Sequence, residues 1–344
     1  MSIDLLSMPY NEIEELVTSS GFPVFRAKQL YSWLSKGASF DEMTNLPSAF
    51  KEKLISHGCI VDLPKISQKL VSKIDGTVKY LFALSDGQLI ESVVMKYEHG
   101  NTICVSSQAG CRMGCRFCAS TLKGLIRNLS SSEIAGQIYM AQKDLGVRIS
   151  NVVMMGIGEP LDNYDNVIKF LHLINREEGL NIGYRHISLS TCGVVDGIRR
   201  LMNEGLPITL SISLHNIDTE QRKLLMPITN KWSVEELLKA CAEYFAKTGR
   251  RISFEYTLIS GENDSTEQAA LLAKGLKKHL HGMPIHVNLI PLNTVSERQF
   301  RKSSADAVNA FKTKLTSLGI NATVRRRLGP DINASCGQLR LNNQ

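Results

Sequence analysis

The stretch NTICVSSQAGCRMGCRFCAST, residues 101–121, holds a short apolar, β-branched run that breaks into a loop carrying Cys111, Cys115 and Cys118 at the spacing C-x3-C-x2-C. Such a run, ended by small polar residues, reads as a buried strand. Downstream, Ser130 and Glu133 form the S-x-x-E signature of a helix start, with Ile134, Ile138, Ala141 and Leu145 following on one face. Strand, cysteine loop and helix therefore make one β/α unit, and the pattern recurs. Further strands are expected over 149–156, 185–191, 207–214, 251–259, 285–290 and 321–326. Helices are expected near 131–146, 164–178, 194–204, 233–248, 264–280 and 303–318. Repeated strand–helix units predict an α/β fold with a parallel sheet or barrel. Active sites of such folds gather at the C-terminal strand ends, which is where the cysteine loop falls.

The segments ahead of this repeat differ from it. Residues 1–62 read as short amphipathic helices (NEIEELVTSS, FRAKQLYSWLSKG, LPSAFKEKLISHG) with Gly21, Gly37 and Gly58 as stops, an accessory domain of a kind that serves nucleic-acid (RNA) binding or docking and just as often structural packing. Residues 63–100 turn to β-branched runs broken by Asp75-Gly76 and Asp86-Gly87, a hairpin signal that predicts a β-ribbon linker. The third unit is 101–344, ending in a loop of small residues around Cys336. The chain has 344 residues, 43% of them hydrophobic, which suffices for a large core. No run approaches a membrane span, and the acidic N-terminus lacks the form of a secretory signal. The expected setting is the cytoplasm, away from membranes, with the eight cysteines as thiols or ligands rather than a disulfide framework.

Net charge is +7, concentrated at one end: residues 1–100 carry 10 basic and 12 acidic side chains, whereas 296–344 carry 9 and 3, including Arg325, Arg326 and Arg327. A localised basic surface suits a polyanion such as nucleic acid, and suits an ordinary solvated face equally well.

Three cysteines within eight residues admit three readings. Unpaired core thiols so close together would be a coincidence. A zinc site lacks a fourth ligand nearby, since the next histidine is His172. An iron–sulfur cubane can take three thiolates and leave its fourth iron for another ligand. A second stretch, VVMMGIGEPLDN, ends a strand with Gly156-x-Gly158-Glu159-Pro160. Glycines there let a ligand approach the backbone, and Glu159 can accept from an ammonium group, although a tight turn accounts for the same residues. Cys104 lies on the strand feeding the triplet, and Cys336 follows the basic run. Cys59, Cys192 and Cys241 read as packing thiols, Cys192 with less ease because it follows a strand end. Taken alone, His215 reads as a structural histidine, and Glu91 as a surface carboxylate on a hairpin.

At the triplet the sequence resembles the radical S-adenosylmethionine (SAM) superfamily, whose C-x3-C-x2-C loop carries an aromatic residue before the last cysteine, as Phe117 does here. With Cys104 and Cys336 added, it resembles the RlmN/Cfr family of RNA adenine methyltransferases over nearly the whole chain. The likeness includes CVSSQAGCRMGCRFCAST, GLIRNLSSSEI, VVMMGIGEPLDN, RHISLSTCG, SISLHN, LLMPI, HVNLIPLN and DINASCGQL. The resemblance implies a partial (β/α)6-type barrel, with one [4Fe–4S] cluster on Cys111, Cys115 and Cys118 and its open iron chelated by SAM. It carries SAM contacts over to Gly158, Glu159, Ser190, Ser213, Leu214 (through its backbone), His215 and Asn293. By similarity, Cys336 is methylated by one SAM; a second yields a 5′-deoxyadenosyl radical that takes hydrogen from the S-methyl group. The resulting radical adds to the adenine carbon, Glu91 accepts the displaced proton, and Cys104 resolves the adduct through a transient disulfide with Cys336. The implied substrate is adenosine 2503 of 23S rRNA, with adenosine 37 of tRNAs as a second. Phosphate contacts fall to the basic C-terminal region, the helical unit, Lys123 and Arg127. An external electron donor and a monomeric chain complete the expectation. The alternatives are C8 methylation of the same rRNA adenosine, the antibiotic-resistance branch, against which the GEP form of the second motif speaks; a radical SAM enzyme with another substrate; and, remotely, a zinc-containing RNA-binding module.

Overall fold

A computed structural model describes residues 2–339; Arg340, counted above in the basic C-terminal region, lies outside the described residues. The helical unit is formed by α1 (Tyr10–Ser19), α2 (Phe25–Leu34) and α3 (Ser48–Ser56). Its two ends meet where β1 (Ile3–Asp4) pairs in parallel with β2 (Cys59–Ile60). Ile13, Val17, Leu30, Phe50 and Leu54 bury the apolar stripes the spacing foretold.

Next come β3 (Lys65–Val71), β4 (Val78–Ala83) and β5 (Leu89–Tyr97), an antiparallel meander turning at the two Asp-Gly pairs. The expected ribbon is continuous with the main sheet, because β5 pairs antiparallel with β6 (Gly100–Cys104), the first strand of the repeat. Beyond β6 the sheet is parallel through β9 (Ile149–Met154), β10 (Ile187–Thr191), β11 (Thr209–Ser213), β12 (Ile252–Leu258), β13 (His286–Pro291) and β14 (Asn321–Val324). The small β7 (Gln108–Gly110) and β8 (Leu125–Asn128) form a separate ribbon. Crossovers run through α4 (Ser131–Leu145), α5 (Tyr164–Asn175), α6 (Val195–Leu201), α7 (Thr219–Leu225) with α8 (Val234–Thr248), α9 (Thr266–His279) and α10 (Ala305–Ser317). That makes six β/α units and a closing strand. The sheet ends at β3 and β14 without joining, so the barrel is partial.

Alternation along β5 sorts its side chains onto two faces. Ile90 and Val94 pack in the main core with Ile134 and Ile138 of α4. Val93 and Met95 join Cys104, Ile157, Leu328, Ala334 and Leu339 in a second cluster. Glu91 and Lys79 share this second face, since Val93 stands opposite both Lys79 and Cys104. The C-terminal segment thus lies over the sheet face that carries Glu91 and Cys104.

Candidate functional site

The cysteine loop is pinched at its base by the β7–β8 ribbon. Gly110, at φ +77°, lies so close to the Gly124 carbonyl that a Cβ would stand 2.0 Å from it, and the Cys111 N–H donates to that carbonyl at 2.8 Å. Inside the loop the Thr121 hydroxyl donates to the carbonyls of Cys115 and Cys118 at 3.0 Å each, and Arg298 Nη2 donates to Thr121 Oγ1 at 3.0 Å. The three sulfurs open on one cavity of about 940 Å³ at the C-terminal strand ends. Burial pushes all three thiols up, Cys111 to about 12; the neighbouring triplet thiols add to it at Cys111 and Cys115, and Cys336 does so at Cys118. Keeping them as thiolates therefore requires a cation at this loop. Among the described residues no three His, Cys, Asp or Glu side chains are gathered as around a single metal ion. Cys111, Cys115 and Cys118 all line the cavity, and three thiolates are a donor set suited to separate irons of one cubane.

Facing them, the ends of β9 to β13 form a polar shelf. Gly158 (φ +108°) fits because a Cβ would meet Gln108 Cβ at 2.7 Å and Ser107 Oγ at 2.8 Å. The glycine's first task is thus to let the loop after β9 lie against the loop after β6. Glu159 is 3% exposed, and its oxygens accept from the N–H groups of Leu161 (3.0 Å) and Cys192 (2.7 Å). Burial raises its carboxyl above the usual range. The expected ammonium acceptor is therefore already a backbone cap, with further lone pairs toward the cavity. Ser190, Ser213, His215 and Asn293 line the same cavity. His215, at φ +57°, accepts from the Thr257 N–H at Nδ1 (2.9 Å), which leaves Nε2 to carry the proton. Burial, then the Arg222 charge, lowers its pKa to about 3, so it is neutral. Asn293 donates to the Cys336 carbonyl at 3.1 Å, and its own Oδ1 is buried without a hydrogen-bond partner. An orphaned acceptor beside the glycine-backed wall suits a ligand with N–H donors such as SAM. Leu214, expected to act through its backbone, buries its side chain in the core between the cavity-lining Ser213 and His215; its N–H donates to the Glu255 carbonyl and its own carbonyl accepts from Arg222.

Cys336 lines that cavity too, whereas Cys104 lies behind the C-terminal loop in the second cluster, its thiol pushed up to about 12 by burial and then by Cys336. Both are free thiols; the disulfide implied by the resemblance is absent from the structure. Glu91 is buried on the same sheet face, diagonal to Cys104, and pairs with Lys79 at 2.7 Å. It is an interior ion-paired carboxylate, not a surface one.

Sequence reasoning missed one arginine and misplaced another. Arg222, 1% exposed, donates to the carbonyls of Leu214, Cys192 and Ser213 and to the Thr229 hydroxyl, tying the ends of β10 and β11 together. Nothing in QRKLL marks it out. Arg325 leaves the exposed Arg326 and Arg327 to enter the cavity wall, 3.7 Å from the buried Glu255 and 3.3 Å from Met155 Sδ. Its charge faces Cys336 and Cys104. Arg127, expected at phosphate, is instead ion-paired with Asp86 and Glu133 at 2.6 and 2.7 Å. Lys123 remains exposed.

Comparison with known proteins agrees with this geometry. The model of the Radical SAM superfamily matches residues 105–273, and that of the ribosomal RNA large subunit methyltransferase N-terminal domain matches residues 3–60. A "Probable dual-specificity RNA methyltransferase RlmN" of Clostridium novyi (strain NT) is 52% identical, covering 98% of each chain. A protein of the same name from Alkaliphilus oremlandii (strain OhILAs) is 52% identical over 98% of this chain and 97% of its own. A crystal structure of a radical SAM methyltransferase from Sphaerobacter thermophilus superposes with a TM-score of 0.92 at 38% identity, covering 98% and 99%. The chain belongs to the radical SAM superfamily and, within it, to the RlmN-type RNA methyltransferases.

Proposed function

We propose that this member of the family methylates C2 of adenosine 2503 in 23S rRNA, and C2 of adenosine 37 in tRNAs, in the cytoplasm. The observation that carries the reading is the position of Cys336, on the wall of the cavity it shares with the cysteine triplet and backed by Cys104. Cys111, Cys115 and Cys118 would hold a [4Fe–4S] cluster, while Gly158, Glu159, Ser190, Ser213, His215 and Asn293 would hold SAM. With an external electron donor, that pair of groups supplies a hydrogen-abstracting carbon radical, which C2 needs because it is an aromatic carbon without an acidic proton.

The chain's own groups do the rest. The Cys336 sulfur carries the methyl carbon and becomes the link to the base. Neutral His215 and the buried Asn293 amide orient the sulfonium cosubstrate by hydrogen bonds that add no charge. Glu91, held by Lys79, takes the C2 proton. Once the adduct has also lost one electron, back to a bound [4Fe–4S] cluster, Cys104 attacks the Cys336 sulfur: a disulfide forms and the sulfur–carbon bond breaks. The departing methylene carbon takes up the proton given by the Cys104 thiol and leaves as the methyl group. The Arg325 charge near Cys104 offsets part of the upward push that burial gives that thiol. Exposed Arg326, Arg327 and Lys123 contact phosphates of an unstacked loop. Anaerobic assay on 23S rRNA fragments, followed by nucleoside mass spectrometry, tests this. 2-Methyladenosine is the expected product, and 8-methyladenosine in its place would move the chain to the resistance-type reaction.

A further inference from the structure

The loop bearing Cys336 belongs to no β/α unit, yet the proposed relay needs its sulfur within reach of both the cavity and Cys104. Hydrogen bonds hold it from two sides. On the cavity side Asn293 donates to the Cys336 carbonyl, and the Ala119 N–H donates to the Gly337 carbonyl at 2.8 Å. On the far side the partners come from the β3–β4 hairpin, more than 250 residues away in sequence. Asp75 Oδ2 accepts from the Gly329 N–H at 2.9 Å. Asp331 accepts from the Ser72 hydroxyl at 2.7 Å and from the Lys73 N–H at 2.9 Å. Lys79, which pairs with Glu91, also donates to the Asn333 carbonyl at 3.4 Å.

The backbone between these contacts is tightly turned. Gly329 (φ +58°) and Asn333 (φ +49°) are both left-handed and flank a single 3-10 turn, Pro330–Ile332. A Cβ on Gly329 would come within 2.7 Å of Ala334 Cβ and 3.1 Å of Thr77 Cγ2, so the turn lies directly on the hairpin. A thiol on a loop anchored at one end only would spend much of its time out of reach of its partner, and its effective concentration there would fall.

We propose that Asp75 and Asp331 are positioning residues for the thiol relay, and that the β3–β4 hairpin is a clasp that sets the reach of Cys336 toward Cys104. The proposal rests on the relay reading of those two cysteines. Its test uses cluster-loaded protein under anaerobic conditions, and it reads thiol chemistry rather than turnover. Oxidised glutathione accepts two electrons and two protons from the pair, giving one protein disulfide and two reduced glutathiones. The constant for that exchange, measured by site-resolved mass spectrometry after acid quench, reports how close the two thiols are held. Asp331→Ala is expected to lower it about tenfold, the scale of losing charge-assisted hydrogen bonds. The same variant should raise the rate at which a bulky maleimide alkylates Cys336 by a similar factor. Asp331→Asn, which keeps one accepting oxygen of the two and loses the charge, should fall between wild type and Asp331→Ala. Should Asp331→Ala fail to fold, Ser72→Ala and Asp75→Asn carry the same prediction with a smaller change. Unaltered exchange and alkylation in folded variants would overturn the clasp. A wild-type protein in which Cys104 and Cys336 never pair would overturn the relay reading instead.

Discussion

The cofactor shelf and the Cys336 loop meet at one cavity but are built in opposite ways. The shelf is made of strand ends, each placed by a parallel ladder and a crossover helix, so its side chains inherit their positions from the repeat. The loop has no ladder. It is held by hydrogen bonds from a hairpin at one end of the sheet and, on the cavity side, from the Asn293 amide and the Ala119 N–H. A site residue on the shelf is therefore protected by the whole core, whereas one on the loop depends on a few hydrogen bonds. The proposed chemistry divides along the same line: the groups that would hold ligands in place are on the shelf, and the thiol that would form and break bonds is on the loop.

The sharpest way to break this contrast is to remove one cysteine from the loop that faces the shelf and one from the Cys336 loop. Cys115→Ala should abolish both the brown colour of the cluster and all methylation. Cys336→Ala should abolish methylation while leaving colour and SAM cleavage largely intact. Both are read by absorption spectra and nucleoside mass spectrometry, and residual methylation in Cys336→Ala would mean that the loop does not carry the methyl group.

Arg222→Met takes a donor from four acceptors at the base of the shelf, of which the Leu214 carbonyl keeps the Asn216 N–H. A loss of roughly 3 kcal/mol in urea unfolding is expected, because buried acceptors left unpaired cost about 1–3 kcal/mol each while relief of the buried charge offsets part of it. Gly158→Ala should cost somewhat less, roughly 1–3 kcal/mol, since the new methyl must displace Gln108 and Ser107. It should also weaken SAM binding by isothermal titration. Equal stability in both variants would show that the shelf is as loosely held as the loop.

The smallest effect is one of pH. His215 has its folded pKa lowered from 6.5 to about 3. Its contribution is complete above pH 6.5 and fades as pH falls toward 3, where the unfolded chain binds a proton that the folded one refuses. The slope is at most about 1.4 kcal/mol per pH unit over that window. Urea unfolding at pH 7 and pH 5 should show it, and His215→Gln should flatten the difference.

The β/α order, the three N-terminal helices and the two Asp-Gly turns could be read along the chain because each rests on contacts a few residues apart. The triplet was legible for the same reason. Glu91 was found by resemblance, yet its burial and its Lys79 partner were not foreseeable, since they follow from β4 and β5 lying side by side. The run Arg325-Arg326-Arg327 looked uniform, but the end of β14 turns the first inward and leaves the others outside. Arg222 gave no local signal at all, because every acceptor it serves comes from a strand end or turn that only folding brings to it.

By itself, then, the amino-acid order determined the fold class, the cysteine loop and the family, through patterns of short range and residue types with few chemical uses. Only the tertiary structure decided that Cys336 would face the cavity, that Cys104 would lie behind it, and that a hairpin near the N-terminus would hold the loop between them. Those placements depend on hydrogen bonds between segments hundreds of residues apart, and no local preference of the chain encodes them.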